Sequence, residues 1–231
     1  MKIRLNKFLA IAFSATLLFG CEATKNANNK QKGAVIGAGS GAVIGGVVGN
    51  NVGKGNTALG AIIGGVVGGA AGGYIGSRMD KQAKQIEQEI PGAEVERVGE
   101  GINVTFDENS GIYFDTEKYN INEKSREALH KLVGIFKEYP DTEILVEGHT
   151  DDTGSDSYNL TLSKNRAQAV TNFLVSDGIS KGRFDTKWYG EAQPKYDNTT
   201  AEGRAKNRRV ELAIVANEQM KKEAEEATEE N

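Results

Sequence analysis

Residues 148–154 of this 231-residue chain read Gly-His-Thr-Asp-Asp-Thr-Gly and interrupt two regular patterns. The apolar run from Glu143 to Glu147 before them predicts a β-strand. The residues from Asn159 to Asp177 after them predict a helix closed by Gly178. Asp151 is therefore expected on a loop just past a strand end. Open α/β sheets place ligand sites at the carboxyl ends of their strands, so this position predicts a binding site.

The predicted helix adds a basic residue to the same region. Arg166 shares a helix face with Leu162, Val170 and Phe173, because residues three or four positions apart lie on one side. That face must pack on the sheet, so an arginine there needs a partner at the rim of the domain. Two interpretations stay open. Asp151 and Arg166 either pair with each other, or they hold the ammonium and the carboxylate of a zwitterion, with N–H groups at the helix start as further donors.

Strand and helix patterns alternate on both sides of this region, which is typical of a layered α/β domain. Before the strand and helix described above, the sequence predicts a hairpin around Gly99–Gly101 and a helix over Leu129–Phe136 that stops before Pro140. After them it predicts a strand over Arg183–Tyr189, a long polar loop over Gly190–Lys206, and a last strand over Arg208–Val215. Val210, Leu212 and Ile214 lie on one face of that last strand. About 120 residues suffice for one such core.

Several separated motifs resemble the OmpA C-terminal-like domain family, in the family's order and spacing. They are Gly148-His149-Thr150-Asp151, Asn159, Leu162-Ser163, Arg166-Ala167, Tyr189-Gly190-Glu191 with Pro194, Gly203-Arg204-Ala205, and Asn207-Arg208-Arg209-Val210. The resemblance covers roughly residues 100–216. It implies an α/β fold in the form of an α+β two-layer sandwich.

The resemblance also implies a function, which is non-covalent binding of peptidoglycan through meso-diaminopimelate in the stem peptide. Diaminopimelate carries the ammonium–carboxylate pair that such a site would suit. The binding residues that the resemblance implies are Asp151 and Arg166, with Asn159 shaping the loop, Phe114 and Asp115 lining the pocket, and Thr153 and Arg208 in its wall. No metal and no other cofactor is expected.

The alternative to a binding domain is an enzyme. His130 and His149 are the only histidines. His149 lies beside Asp151 and Asp152, which could suggest a metal or hydrolytic site, but no second histidine stands at ligand spacing. Two carboxyl groups on one exposed loop also rarely have the separated pKa values that acid–base catalysis needs. We therefore expect His149 to make structural hydrogen bonds, His130 to lie on the surface of its helix, and the domain to be non-enzymatic.

The first twenty residues predict a lipoprotein signal peptide. Basic residues up to Lys7 precede an apolar stretch from Phe8 to Phe19 that is too short to span a bilayer comfortably. Residues 18–21 read Leu-Phe-Gly-Cys and resemble a lipobox, which implies cleavage before Cys21 and acylation of its thiol with palmitate or a similar chain. Cys21 is the only cysteine, so no internal disulfide can form.

Cleavage before Cys21 would leave 25 basic against 32 acidic residues, a net charge of −7. That acidity argues against nucleic acid as a partner, and an anionic polymer would need a specific site.

We predict three further segments before the domain: a flexible tether over 21–32, a glycine-zipper helical hairpin over 33–77, and a linker with a solvated helix and the first strand over 78–99. After the domain, residues 217–231 form an acidic tail that is either a frayed helix or disordered. Glycines recur every four residues within 33–76, and residues 42–49 reappear in similar form as 61–68. Such spacing lets helices approach closely. A disordered glycine-rich linker is the alternative, although the many Val and Ile residues disfavour it.

These segments together predict an outer-membrane lipoprotein, most simply facing the periplasm, that tethers the membrane to the cell wall. In the alternative, the glycine zipper is itself the active part, as an oligomerisation or pore element that the wall domain moors, which implies a homo-oligomer. A stator that couples the wall to an ion-driven motor is disfavoured, because residues 33–76 contain no Asp or Glu.

Overall fold

The computed structural model describes residues 69–107, 110–114 and 117–229. The elements are α1 (Gly69–Glu89), β1 (Glu94–Val98), β2 (Gly101–Phe106), α2 (Glu123–Glu138), β3 (Thr142–Gly148), α3 (Asp156–Ser176), a 3-10 turn (Lys181–Arg183), β4 (Phe184–Trp188), α4 (Ala201–Asn207), β5 (Val210–Ala216) and α5 (Glu218–Glu229). The expected signal peptide, Cys21, the tether and most of the glycine zipper lie outside the described residues, as does Asp115.

The five strands form one sheet in the order β1-β2-β5-β3-β4. The first three neighbouring pairs are antiparallel, whereas β3 and β4 are parallel. A parallel pair needs a crossover, and α3 provides it. Gly148, the last residue of β3, is therefore in register with Trp188 at the end of β4 and with Val210 at the start of β5. Strands β3 and β4 therefore end, and β5 begins, at the same end of the sheet. The loops that follow β3 and β4 and the loop that precedes β5 meet there.

Helices cover one face of the sheet, which confirms the predicted two-layer α+β sandwich. Every second residue of the central strands points into this core because side chains alternate across a strand. The strand residues that do so are Ile102, Val104, Phe106, Ile144, Val146, Val210, Leu212 and Ile214, all at most 1% exposed. Leu129, Leu132 and Phe136 of α2 pack against them. The predicted apolar face of the last strand is thus confirmed, and α2 ends before Pro140 as predicted.

Two terminal helices differ from what the sequence predicts. The helix expected to be solvated over 78–92 begins at Gly69 and buries Ile75, Met79 and Ile86 completely. The tail expected to be frayed or disordered is α5, which packs on α1 and buries Met220 and Ala224. The helix expected in the first segment and the helical alternative for the tail are both present, but the prediction that they are exposed or frayed was wrong. The physical reason is that a narrow apolar stripe spaced three or four residues apart suffices to dock a helix, even where charged residues dominate its composition.

The polar loop predicted over Gly190–Lys206 also contains a helix, α4. The Thr200 hydroxyl caps it by accepting a 3.0 Å hydrogen bond from the Gly203 N–H. A Cβ atom on Gly203 would lie 1.9 Å from the carbonyl oxygen of Asp197, so only glycine permits this packing. Across the described part of the chain, no helix combines the length and the apolar content needed to cross a membrane.

Candidate functional site

A cavity of about 490 Å³ opens where the loops meet at the carboxyl end of β3. The loop after β3, the first turns of α3, and α4 with the residue that follows it contribute to its lining. Its charged lining residues are Glu117, Asp151, Arg166, Arg204 and Arg208. Asn159 and Thr153 also line it. Five of the predicted site residues, Asp151, Thr153, Asn159, Arg166 and Arg208, therefore surround one cavity although they are spread over 57 positions of sequence.

The backbone around Gly148 holds the loop that carries Asp151. The N–H of His149 donates to the Arg209 carbonyl at 3.0 Å, and the N–H of Thr150 donates to the Gly190 carbonyl at 2.9 Å. A Cβ atom on Gly148 would lie 2.2 Å from the carbonyl oxygen of Ser163. Glycine at this position thus lets α3 cross directly over the end of β3, which brings Arg166 close to the loop.

The Asp151 carboxylate is nearly buried and has two partners. Its Oδ2 accepts a hydrogen bond from Nη1 of Arg208 at 2.8 Å, and its Oδ1 accepts one from the N–H of Thr153 at 3.0 Å. Of the two interpretations left open by the sequence, the direct pair between Asp151 and Arg166 is therefore wrong: the ion pair is made with Arg208. The side chains of Asp151 and Arg208 are 10% and 23% exposed, so a ligand in the cavity can still reach the pair.

Arg166 is almost completely buried, at 1% exposure. Its Nε donates to the carbonyl oxygen of Lys118 at 3.0 Å, and its guanidinium carbon lies 5.3 Å from the centre of the Phe114 ring. A planar guanidinium that donates a hydrogen bond and packs on an aromatic face is restricted in its orientation. Phe114 thus packs against Arg166, but it is not among the residues that line the cavity, where the resemblance placed it.

Asn159 ties the loop together from the first turn of α3. Its Nδ2 donates to the carbonyl oxygens of Asp151 at 3.3 Å and Thr153 at 3.2 Å, and also contacts the carboxylate of Glu191. The side chain is 1% exposed. These contacts fit the loop-shaping role that the resemblance implies for Asn159.

His149 lies behind the cavity rather than in it. The ring is fully buried and stacks on Tyr189 with 5.5 Å between ring centres. Burial, and secondarily the charges of Arg209 and Lys195, hold the pKa of His149 well below 6.5, so the ring is neutral at pH 7. Neither ring nitrogen has a hydrogen-bond partner within the described residues, so the expected side-chain hydrogen bonds are not made. His130 is 55% exposed, as predicted for a surface residue.

The sequence interpretation gave no binding role to several lining residues, among them Glu117, Tyr158 and Arg204. Arg204 belongs to a motif of the resemblance, but it was placed in a loop without a role. Glu117 adopts a φ of 61°, a left-handed conformation that is unusual outside glycine. Tyr158 is 44% exposed at the rim. In the residues that the structure describes, no group of three or more His, Cys, Asp or Glu side chains could hold a metal ion.

The fold and the cavity define a class of small binding domain, in which acidic and basic side chains are fixed at one edge of a two-layer sandwich. Residues 113–208 match the family model described as the OmpA family. Residues 1–80 match the model described as the YMGG-like Gly-zipper. These matches confirm the resemblance seen in the sequence.

Curated relatives cover parts of the chain. Outer membrane porin F of Pseudomonas aeruginosa is 44% identical over 120 residues, which is 52% of this chain and 33% of that protein. Probable lipoprotein YiaD of Escherichia coli K12 is 33% identical over 139 residues, 60% of this chain and 64% of that protein. Peptidoglycan-binding protein ArfA of Mycobacterium bovis is 36% identical over 103 residues, 45% of this chain and 32% of that protein. The matches thus span from one third to just under two thirds of each relative.

A solved structure agrees with the fold. The putative MotB-like protein from Desulfovibrio vulgaris superimposes with a TM-score of 0.52 at 24% identity, covering 63% of this chain and 91% of that one. This similarity supports the strand order and the helical layer described above.

Proposed function

We propose that the chain is an outer-membrane lipoprotein whose domain over residues 100–216 binds peptidoglycan without covalent chemistry and so tethers the membrane to the cell wall. The observation that carries this proposal is the cavity in which the Asp151 carboxylate and the Arg166 guanidinium are both held in place. The relatives support it, since their names include an outer membrane porin, a probable lipoprotein and a peptidoglycan-binding protein.

The ligand group that fits is the free end of diaminopimelate in the stem peptide. Its ammonium would lie on Asp151, whose negative charge is oriented by the Thr153 N–H and by Arg208. Its carboxylate would lie on the Arg166 guanidinium, because the planar fork of donors matches a carboxylate. A cavity of about 490 Å³ is within the size range of small-ligand sites.

The membrane end of the tether is the acylated Cys21. Each CH₂ group buried in the bilayer contributes about 0.8 kcal/mol, so two or more acyl chains give a stable anchor. With the lipid in the outer membrane and the domain on the wall, the protein faces the periplasm.

The match of residues 1–80 to the YMGG-like Gly-zipper favours a second role beside wall binding. In this role the zipper assembles copies of the chain, or forms a membrane element, while the wall domain moors it. The two roles are compatible, since they use different segments.

Sedimentation with purified sacculi tests the wall-binding function. The wild-type chain is compared with Asp151→Asn and Arg166→Gln, and with Asp152→Asn as the matched control, since Asp152 is the exposed neighbour outside the cavity lining. Each charged hydrogen bond contributes about 1.5–3 kcal/mol, so we expect wild type and Asp152→Asn to sediment and the other two variants to stay in solution. Circular dichroism checks that the variants are folded. If wild type itself stays in solution, the proposal is wrong.

A further inference from the structure

Thr150 lines the cavity one residue before Asp151, and its hydroxyl takes no part in the contacts that hold the site together. The residue is 2% exposed. Its hydroxyl oxygen, Oγ1, is fully buried and has no hydrogen-bond partner among the described residues. Buried polar groups in native proteins almost always have such a partner, so one that lacks it beside a cavity indicates that the cavity's occupant supplies it.

The backbone directs the Thr150 side chain toward the helical layer. The extended pairing of β3 continues past Gly148, because the N–H of His149 donates toward β5 and that of Thr150 donates toward the loop after β4. Side chains alternate across an extended strand, so Thr150 lies on the same face as Gly148, and His149 on the other. A Cβ on Gly148 would meet the Ser163 carbonyl, which identifies this face as the one that α3 covers.

Arg166 lines the same cavity from α3. Side chains of a helix are inclined toward its N-terminus, and the first turns of α3 border the cavity. The strand end and the helix that covers it therefore present a hydroxyl and a guanidinium to one space. A carboxylate offers about four acceptor positions, and a guanidinium fork uses two of them. A carboxylate bound to Arg166 can thus accept a further hydrogen bond from a neutral donor.

We propose that the Thr150 hydroxyl binds the ligand carboxylate together with Arg166, by donating a hydrogen bond to it. Rotation about the Cα–Cβ bond exchanges the positions of the hydroxyl and the methyl group, so the hydroxyl turns to the ligand without movement of the backbone. The hydroxyl then contributes to affinity for the ligand and not to the stability of the free protein. This inference rests on the peptidoglycan-binding function proposed above and adds a specificity-determining residue to it.

Calorimetric titration of the full chain in detergent tests the role of Thr150 with two synthetic stem peptides that differ only in carrying diaminopimelate or lysine. The lysine peptide lacks the carboxylate, so the ratio of the two affinities isolates its recognition. We expect Thr150→Val to reduce the wild-type preference for the diaminopimelate peptide about tenfold, which is the lower limit for a hydrogen bond to a charged group. Its affinity for the lysine peptide stays unchanged. Thr150→Ser keeps the hydroxyl and retains most of the preference.

Thr142→Val is the matched control. Thr142 is a fully buried threonine at the opposite end of β3, and its hydroxyl has partners. It donates to the Tyr139 carbonyl at 3.1 Å and accepts from Nη2 of Arg183 at 2.7 Å. We expect Thr142→Val to unfold at lower urea concentration and to keep the wild-type preference. Thr150→Val, by contrast, should unfold at no lower urea concentration than wild type.

An unchanged preference in Thr150→Val, or a wild type that binds both peptides equally, overturns the inference and leaves wall binding itself intact. A loss of preference together with a fall in the urea midpoint as large as that of Thr142→Val overturns it too, because the hydroxyl would then have a structural role. If wild type binds neither peptide, the proposed function fails and the inference with it.

Discussion

Substitution of Gly148 by alanine should disrupt the site without removing any side chain that lines it. The added Cβ would lie 2.2 Å from the Ser163 carbonyl oxygen and 3.2 Å from the Ala167 Cβ. Both are atoms of α3 that cannot rotate away, so the helix must move by about 1 Å to restore ordinary contact distances. Overpacking of this kind costs about 1–3 kcal/mol of folding free energy. Arg166 is three residues from Ser163, so its guanidinium moves too, and binding sites tolerate only about 0.5 Å of such displacement.

Urea unfolding and sacculus sedimentation measure the two effects on the same variant. We expect Gly148→Ala to unfold at lower urea concentration and to lose most of its wall binding even where it is fully folded. Gly134→Ala is the control, because Gly134 lies in α2 and, among the described residues, no atom beyond the neighbouring backbone of that helix lies within 4 Å of an added Cβ. There alanine should stabilise the helix by about 0.5–1 kcal/mol and leave binding unchanged. A Gly148→Ala variant with wild-type stability and binding would refute the argument that α3 positions Arg166 by crossing this glycine.

Three further predictions concern the rest of the chain. Met220→Ala should destabilise the domain by about 2–5 kcal/mol in urea unfolding, because Met220 of α5 is fully buried against the core; a change below 0.5 kcal/mol would show that α5 is not part of the folded unit. The pKa of His149 is lowered in the folded protein, so only the unfolded chain binds the proton readily. The stability that neutral His149 contributes is therefore complete above pH 6.5, the ordinary pKa of histidine. As the pH falls below that value, the free energy of unfolding decreases by up to about 1.4 kcal/mol per pH unit. Urea unfolding at pH 7.5 and 5.5 should show this loss in wild type and a smaller loss in His149→Gln, and equal losses would contradict it. Gly64→Leu combined with Gly68→Leu should break zipper-mediated oligomers, and an unchanged mass by light scattering would count against the assembly role.

Elements with a strong local pattern could be predicted from the sequence. The β1–β2 hairpin alternates around two glycines, and α2 and α3 carry clear helical spacing with a proline or a glycine at their ends. The residues Asp151, Asn159 and Arg166 could be placed near one another, because one strand end and the helix that follows it carry all three. Local chemistry determined these features, so neighbouring residues were sufficient to identify them.

Features that depend on distant contacts could not be predicted in the same way. Asp151 and Arg208 are 57 residues apart, and their ion pair exists only because β5 lies beside β3. The docking of α1 on α5 likewise joins two polar segments from opposite ends of the domain. Arg204 faces the cavity because of a seven-residue helix that its polar surroundings concealed.

The central claim is that the cavity recognises the zwitterionic end of diaminopimelate, and a single substitution in the ligand tests it most directly. Lysine differs from diaminopimelate only by the absence of the second carboxylate, so two otherwise identical synthetic stem peptides isolate the group expected on Arg166. In calorimetric titrations of the full chain, we expect the diaminopimelate peptide to bind at least about tenfold more tightly than the lysine peptide. Equal affinity for the two peptides, or no binding of either, would contradict the account.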